Sequence, residues 1–259
     1  MEFHRPSVQD GSVDMAFEQL PHIFKPGDWI LLFLIISLRY LFFAGGLGAI
    51  LKKILLSQRV RLTPEAPWTQ KQREIGYGMM AALIFTAVGL LWVEGFKRGW
   101  TRIYWDPHEF PWWWIPLSWL ILIFLHETYF YWTHRWLHVP WLYKKVHYVH
   151  HMSRSPSEWT SFSFHPLESF INALAVPLIS LLIPLHWGVL LAHLTLMTIT
   201  AVTNHLGFEV LPPSWLRFGL TRWLISGSHH GLHHVKVRHN FGLFLRFWDI
   251  LMKTEYVDP

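Results

Sequence analysis

The 259-residue chain contains no cysteine. That excludes disulfides, thiolate-bound haem, cysteine-ligated iron–sulfur clusters and cysteine zinc sites, and it leaves histidine and the carboxylates as the available metal ligands. Charge is scarce as well: Asp, Glu, Lys and Arg make up 15 % of the chain against 52 % hydrophobic residues. Such a composition over-supplies a soluble core, so part of the solvent is lipid. The 22 Lys and Arg exceed the 17 Asp and Glu, but they flank apolar runs and do not interleave with exposed aromatics. Anionic headgroups account for them, and nucleic acid does not. Residues 1–26 hold no apolar core followed by a small-residue cleavage site, so they read as a polar tail and not as a secretory signal. There is no Gly-x-Gly-x-x-Gly turn and no haem-binding segment, so any electrons come from another protein.

Long apolar runs are what the chain does have, and about 20 apolar residues cross a bilayer. A first span covers residues 28–50 and a second 76–95, while a third starts near Ile115 and runs into a histidine-rich stretch. Arg39 interrupts the first span; a tilted helix whose arginine snorkels to the interface accounts for that charge. Residues 170–203, broken by Pro184-Leu185-His186-Trp187-Gly188, read as a helical hairpin that dips into the membrane and returns. The chain has 17 Trp, and Trp112, Trp113 and Trp114 look like an interfacial belt. Cations gather in the 51–73 loop and around the histidines, as Arg135, Lys144, Lys145 and Arg154. The positive-inside tendency then places both regions in the cytoplasm and the N-terminus outside. The expected fold is an all-α integral membrane protein, a transmembrane helical bundle with a cytosolic histidine-rich helical cap.

Of the 18 histidines, eight fall in three groups with helical spacing: His134 and His138; His147, His150 and His151; His230, His233 and His234. Spacings of three and four place each group on one helical face, and faces of this kind can share a metal. Eight imidazoles are too many for one ion, so two metals are implied. Nitrogen-rich ligation at a membrane surface suits oxygen-activating iron, with zinc the serious competitor. His126-Glu127 is followed by Thr128, Tyr129 and Phe130, so the His-Glu-x-x-His signature of zinc proteases is absent. Haem held between opposed histidines calls for ligands in mid-span, and these stand at span ends.

The words YFYWTHRWLH, HYVHH, HHGLHH and RHNFG, in that order, resemble the sterol desaturase branch of the fatty acid hydroxylase superfamily, and the sterol C-5 desaturases look closest. The resemblance covers roughly residues 115–257 and includes WLYKKVHYVHH, SFSFHPLESF, LLIPLHWG and FWDILMKTEYVDP. It divides the chain into an N-terminal tail with two transmembrane helices (1–114) and a hydroxylase-like domain (115–257). It implies a dinuclear iron site at the membrane surface, facing an apolar substrate tunnel. It assigns ligand roles to His134, His138, His147, His150, His151, His230, His233 and His234, and it matches His205 to the start of a further histidine box. That box usually closes with a histidine four residues on, and Glu209 stands there instead. A carboxylate ligates iron or holds a water, which makes Glu209 the candidate catalytic group. His229 is a candidate ligand or a donor to one, His165 a candidate to orient a ligand or line the site, and His239 a candidate for a supporting role.

The expected function is an O2-dependent desaturation or hydroxylation of a lipid, most simply a sterol-like one, with electrons from a cytochrome b5- or ferredoxin-type donor. The donor would dock near Lys144, Lys145, Arg154, Lys236 and Arg238. The location implied is the endoplasmic reticulum in a eukaryote and the inner membrane in a bacterium. Fatty acid or carotenoid hydroxylation within the same superfamily is the nearest alternative. A membrane zinc-binding or zinc-transport protein is a rival from another class, and so is a lipid-binding relative without chemistry. A relay would space its ligands through the spans, whereas these gather at span ends.

Overall fold

The computed structural model describes residues 24–55, 62–219 and 221–256. Residues 1–23 of the expected tail and residues 56–61 of the 51–73 loop lie outside them. Helix α1 runs over Pro26–Leu55, with Pro26 in its first turn and a wide π-helical stretch at Phe42–Leu47. Helix α2 covers Trp68–Lys97 and α3 covers Trp114–Leu137. A shorter helix, α4, fills 140–151 and passes through a π-helical turn at Tyr143–His147. Helices α5 (Pro166–Leu182) and α6 (Trp187–Asn204) form the expected hairpin. The remaining helices are short: α7 (Pro213–Arg217), α8 (Gly227–Lys236) and α9 (Phe247–Leu251). Strands Ile103–Tyr104 (β1) and Leu185–His186 (β2) pair in parallel and tie the two loops at one end of the bundle.

Among the described residues, three helices are long and apolar enough to cross a membrane: α1, α2 and α6. The expected third span is a 24-residue helix, α3, but it is not among them. Its second half carries His126, Glu127 and His134, which are buried inside the protein, so that half of α3 serves the interior, while α6 is one arm of the expected hairpin. Exposed tryptophans mark both ends of the bundle. Trp105, Trp112 and Trp113 stand beside the β1–β2 pair, and Trp136 and Trp141 stand near the histidines.

Two apolar clusters hold the helices together. Leu122, Val176, Ile179, Leu185, Val189 and Leu190 join α3, α5 and α6. Tyr40, Ala44, Val202, Leu206 and Phe208 join α1 and α6 near the histidines. Tyr40 donates to the Trp159 carbonyl at 3.2 Å and packs edge-on against Trp159 and Phe162. It also passes so close to α2 that a Cβ at Gly78 would lie 2.5 Å from its hydroxyl. The amino end of α2 holds the segment after α4. Glu74, fully buried, accepts from Ser157, Thr160 and Gln70, while Arg73 donates to the Met152 carbonyl.

Overpacking a closed contact costs about 1–3 kcal/mol. Gly78→Ala is therefore expected to lower the thermal unfolding midpoint in detergent. Gly76→Ala, on the same helix with no heavy atom within 4 Å of the added carbon, is expected to leave it unchanged or raise it slightly.

Candidate metal centre

All nine histidines assigned from the sequence are drawn into two adjoining groups. His134, His138, His147, His151 and His233 form one; His150, His205, His230 and His234 form the other. Within each group, one ring nitrogen per residue lies within 4.8 Å of the rest. Rings of the two groups meet, with His151 and His234 at 4.9 Å between centroids.

The partition differs from one group per helical face, and helix geometry gives the reason. An α-helix turns about 100° per residue, so an i,i+4 pair stays within about 40° while the i+3 position points about 100° away from the i+4 position. The pairs His134/His138, His147/His151 and His230/His234 accordingly remain together, and His150 and His233 cross to the other group. Each of α4 and α8 thus serves both groups.

Backbone carbonyls aim the rings. His134 Nδ1 donates to the Phe241 carbonyl at 2.9 Å, His233 Nδ1 to the His239 carbonyl at 2.6 Å, His205 Nδ1 to the Ala201 carbonyl at 2.7 Å and His150 Nδ1 to the Ser163 carbonyl at 3.4 Å. His147 Nδ1 donates to Glu168 Oε1 at 2.8 Å. A carbonyl or carboxylate only accepts, so each of these Nδ1 atoms carries the proton and each Nε2 of the neutral ring is a bare lone pair. Yet His134 Nε2 faces His147 Nε2 at 3.1 Å, and His205 Nε2 faces His150 Nε2 at 3.3 Å. Burial and mutual repulsion hold His147, His150, His230, His233 and His234 well below the ordinary imidazole pKa, so protonation does not relieve the clash.

A cation does relieve it. Two nitrogens each about 2.0–2.1 Å from one ion stand roughly 3–3.4 Å apart at octahedral or tetrahedral angles, which is the separation found. Six further ring nitrogens of the two groups are buried without a hydrogen-bond partner among the described residues: both of His138, both of His234, Nδ1 of His151 and Nε2 of His233. Their number and convergence fit a metal-ligating role, since an unsatisfied buried polar group costs about 1–3 kcal/mol.

The other candidates stand outside the two groups. Glu209 accepts from the amides of Leu211 and Ser228, both at 2.9 Å, and so sits at the first turn of α8. His165 caps α5 by accepting from the Leu167 amide. His229 bonds Ser226 Oγ at 3.0 Å, and His239 donates to the Thr254 carbonyl. His126 and His193 share a buried hydrogen bond of 2.8 Å.

Several carboxylates that the sequence reading did not single out organise the surroundings. Glu168 orients His147. Glu127 accepts from the amides of Leu243, Phe244 and Leu245, and Asp249 from those of Phe241 and Gly242. Together they set the carbonyl of Phe241 on His134. The loop approaches so closely that a Cβ at Gly242 would lie 2.6 Å from the Leu245 carbonyl. The available signal for Glu168 was its place three residues after His165, at the head of an apolar helix; Glu127 and Asp249 had none beyond being carboxylates in apolar text.

An apolar cavity of about 400 Å³ adjoins the histidines. Its walls come from α1, α2, α3, α5 and α6 and include Ile36, Phe85, Phe130, Phe164 and Val176. Phe130 lies 5.1 Å from the His134 ring and Phe164 5.1 Å from the His150 ring, between centroids, so the cavity abuts both groups.

With this geometry in hand, comparison with known proteins is informative. The family model for "Fatty acid hydroxylase" matches residues 119–254, just over half of the chain. A lathosterol oxidase of Rattus norvegicus is 34 % identical over 155 residues, 59 % of this chain and 50 % of that one. A Delta(7)-sterol 5(6)-desaturase of Gibberella zeae is 26 % identical over 195 residues, covering 75 % and 59 %. A C-4 methylsterol oxidase of Schizosaccharomyces pombe is 32 % identical over 140 residues, covering 52 % and 46 %. The chain thus spans about half the length of these curated relatives. No solved structure matches it.

Removing Glu127 leaves three amides without their acceptor, at about 1–3 kcal/mol each where they stay dry. Glu127→Ala is expected to speed hydrogen exchange at residues 243–245 and to lower stability by about 3 kcal/mol or more; Glu127→Gln, which keeps an acceptor oxygen, is expected to lose less.

Proposed function

We propose, from the premise that this chain belongs to the fatty acid hydroxylase family, that it is a membrane oxidoreductase acting on an unactivated C–H bond of a sterol-like lipid. The observation that carries the reading is the pair of buried, neutral imidazole groups whose unprotonated nitrogens converge beside an apolar cavity. The names of the relatives, which are sterol oxidases and desaturases, support the lipid class.

Two non-haem irons, when bound, supply the activation of dioxygen that such an oxidation needs. His134, His138, His147, His151 and His233 hold one ion, and His150, His205, His230 and His234 hold the other. Five imidazoles exceed the four ligands that complete a structural zinc site, which favours iron over zinc in the first group. Glu168 keeps His147 in the tautomer that ligates through Nε2. Glu209 acts by fixing the first turn of α8, which delivers three ligands. Phe130 and Phe164 keep the ligand side of the cavity dry. Because α1 and α2 contribute cavity wall, the N-terminal segment 1–114 and the hydroxylase-like domain 115–257 work as one unit.

The protein is multi-pass, with the histidine end facing the cytoplasm. Lys144, Lys145, Arg154, Lys236 and Arg238 are all exposed on or beside the ligand-bearing helices α4 and α8, where they attract an acidic electron donor of cytochrome b5 or ferredoxin type.

Two measurements test this. Purified protein loaded with iron, given a donor and dioxygen, is expected to convert a sterol into a product lacking two hydrogens or gaining one oxygen by mass spectrometry, and a chelator is expected to abolish conversion. Absence of product with iron bound defeats the oxidative reading. Lys144→Glu combined with Lys145→Glu is expected to slow donor-dependent turnover several-fold at low salt, with the difference shrinking as salt screens the charges; equal rates at low salt remove the docking site.

A further inference from the structure

Arg39 lies within α1, a helix long and apolar enough to cross a membrane. A guanidinium there is expected to snorkel toward water, but this one turns inward. It donates to the Leu194 carbonyl and to Thr198 Oγ1, the latter at 2.7 Å, both on α6. Its side chain also forms part of the wall of the apolar cavity, together with Thr198 and Asn172. Both acceptors are neutral, and Arg39 forms no ion pair among the described residues. The Asn172 side chain likewise makes no hydrogen bond among them.

A guanidinium has five N–H donors in a rigid fork. Two neutral acceptors leave it under-satisfied in a space whose other walls offer almost only carbon, and ionisable groups inside a membrane are costly unless function retains them. A tie between α1 and α6 would be made as well by an uncharged donor. What a charged fork adds, at a cavity wall, is affinity for an oxygen that arrives with the ligand.

We propose that Arg39 is a specificity residue: it binds an oxygen function, hydroxyl or carboxylate, on the lipid that occupies the cavity, and so fixes the depth to which that lipid enters. This rests on the reading that the cavity takes a lipid, and it adds where the polar group sits. Thr198 and His205 are seven residues apart at the carboxyl end of α6, so the oxygen is held roughly 10 Å along the helix axis from the second histidine group. A 3-hydroxysterol held this way would present a carbon roughly 10 Å from its oxygen, and so not the 5(6) or C-4 positions that the names of the relatives carry.

The test is equilibrium binding of radiolabelled lipids to the full chain in detergent, with no turnover required. The probes are a 3-hydroxysterol, its 3-deoxy analogue, and a long-chain fatty acid paired with the matching alkane. A hydrogen bond to a charged group is worth enough to favour the oxygenated member of one pair by roughly 10- to 100-fold. The pair that shows the preference identifies hydroxyl or carboxylate as the partner. Arg39→Met is expected to bind both members of that pair equally while retaining wild-type metal content, and Arg39→Lys to keep part of the preference. Should Arg39→Met fail to fold, discrimination by the wild type and its partial retention in Arg39→Lys still decide the matter. Equal binding of both members of each pair by the wild type, a preference that survives Arg39→Met, or no binding of any probe overturns the proposal. Discrimination without lipid oxidation sinks the oxidative reading alone; oxidation without discrimination sinks this one alone.

Discussion

The structure depends on an electrostatic conflict between imidazole lone pairs. His134 and His147 each commit Nδ1–H to an acceptor and then turn bare nitrogens toward one another at 3.1 Å, and His150 and His205 do the same at 3.3 Å. In a buried setting neither water nor a proton intervenes, so the arrangement is unfavourable for the chain alone and favourable around a cation. Ordering of the histidine-bearing segments and binding of metal are thereby linked. The rings are aimed by groups that persist without the ion, namely four backbone carbonyls and one carboxylate, so the ligands are arranged before the metal arrives.

Keeping two of those carbonyls, of Phe241 and Ser163, in place falls to buried carboxylates, each answered by donors. Glu127 and Asp249 gather the amides of residues 241–245 and thus position the carbonyl that His134 needs. Glu74 grips Ser157 and Thr160, just before the Ser163 carbonyl that receives His150. Glu209 stands at the head of α8, where a negative charge also complements the helix dipole. A buried carboxylate is tolerable when backbone N–H groups, hydroxyls, a side-chain amide or an imidazole meet it, and here they do. The anions therefore shape the site even where they do not reach the histidine rings.

Helical spacing made eight of the nine histidines legible in the sequence, because i,i+3 and i,i+4 relations are a local property, while His205 was legible only through the family resemblance. Their division into two groups was not legible, since it depends on which side of α4 and α8 the opposing helices pack. The apolar runs gave α1, α2 and the α5–α6 hairpin. The third run is a single helix, α3, as expected, but its sequence does not show that its polar residues line an interior. Glu127 was invisible for a related reason. A carboxylate in apolar text has no period, and its partners, at Leu243–Leu245, lie far away along the chain. Arg39 is the sharpest case. Sequence alone weighs an arginine in a span by the cost of lipid exposure, and only the position of Leu194 and Thr198 shows that it faces a cavity instead.

Two helices connect the cavity to the histidines, and both do so without a loop between. Helix α3 carries His126 at the cavity and His134 two turns on; helix α6 carries Thr198 at the cavity and ends at His205. Rise along a helix is fixed at 1.5 Å per residue, so the separation between Thr198 at the cavity and His205 is set by backbone geometry and not by side-chain flexibility. A lipid bound at a shifted depth would present a different carbon. With an apolar wall that is tolerant of sliding, selectivity along the length of the lipid requires a polar stop. Among the described residues, Arg39 is the charged group in the cavity wall that can provide one.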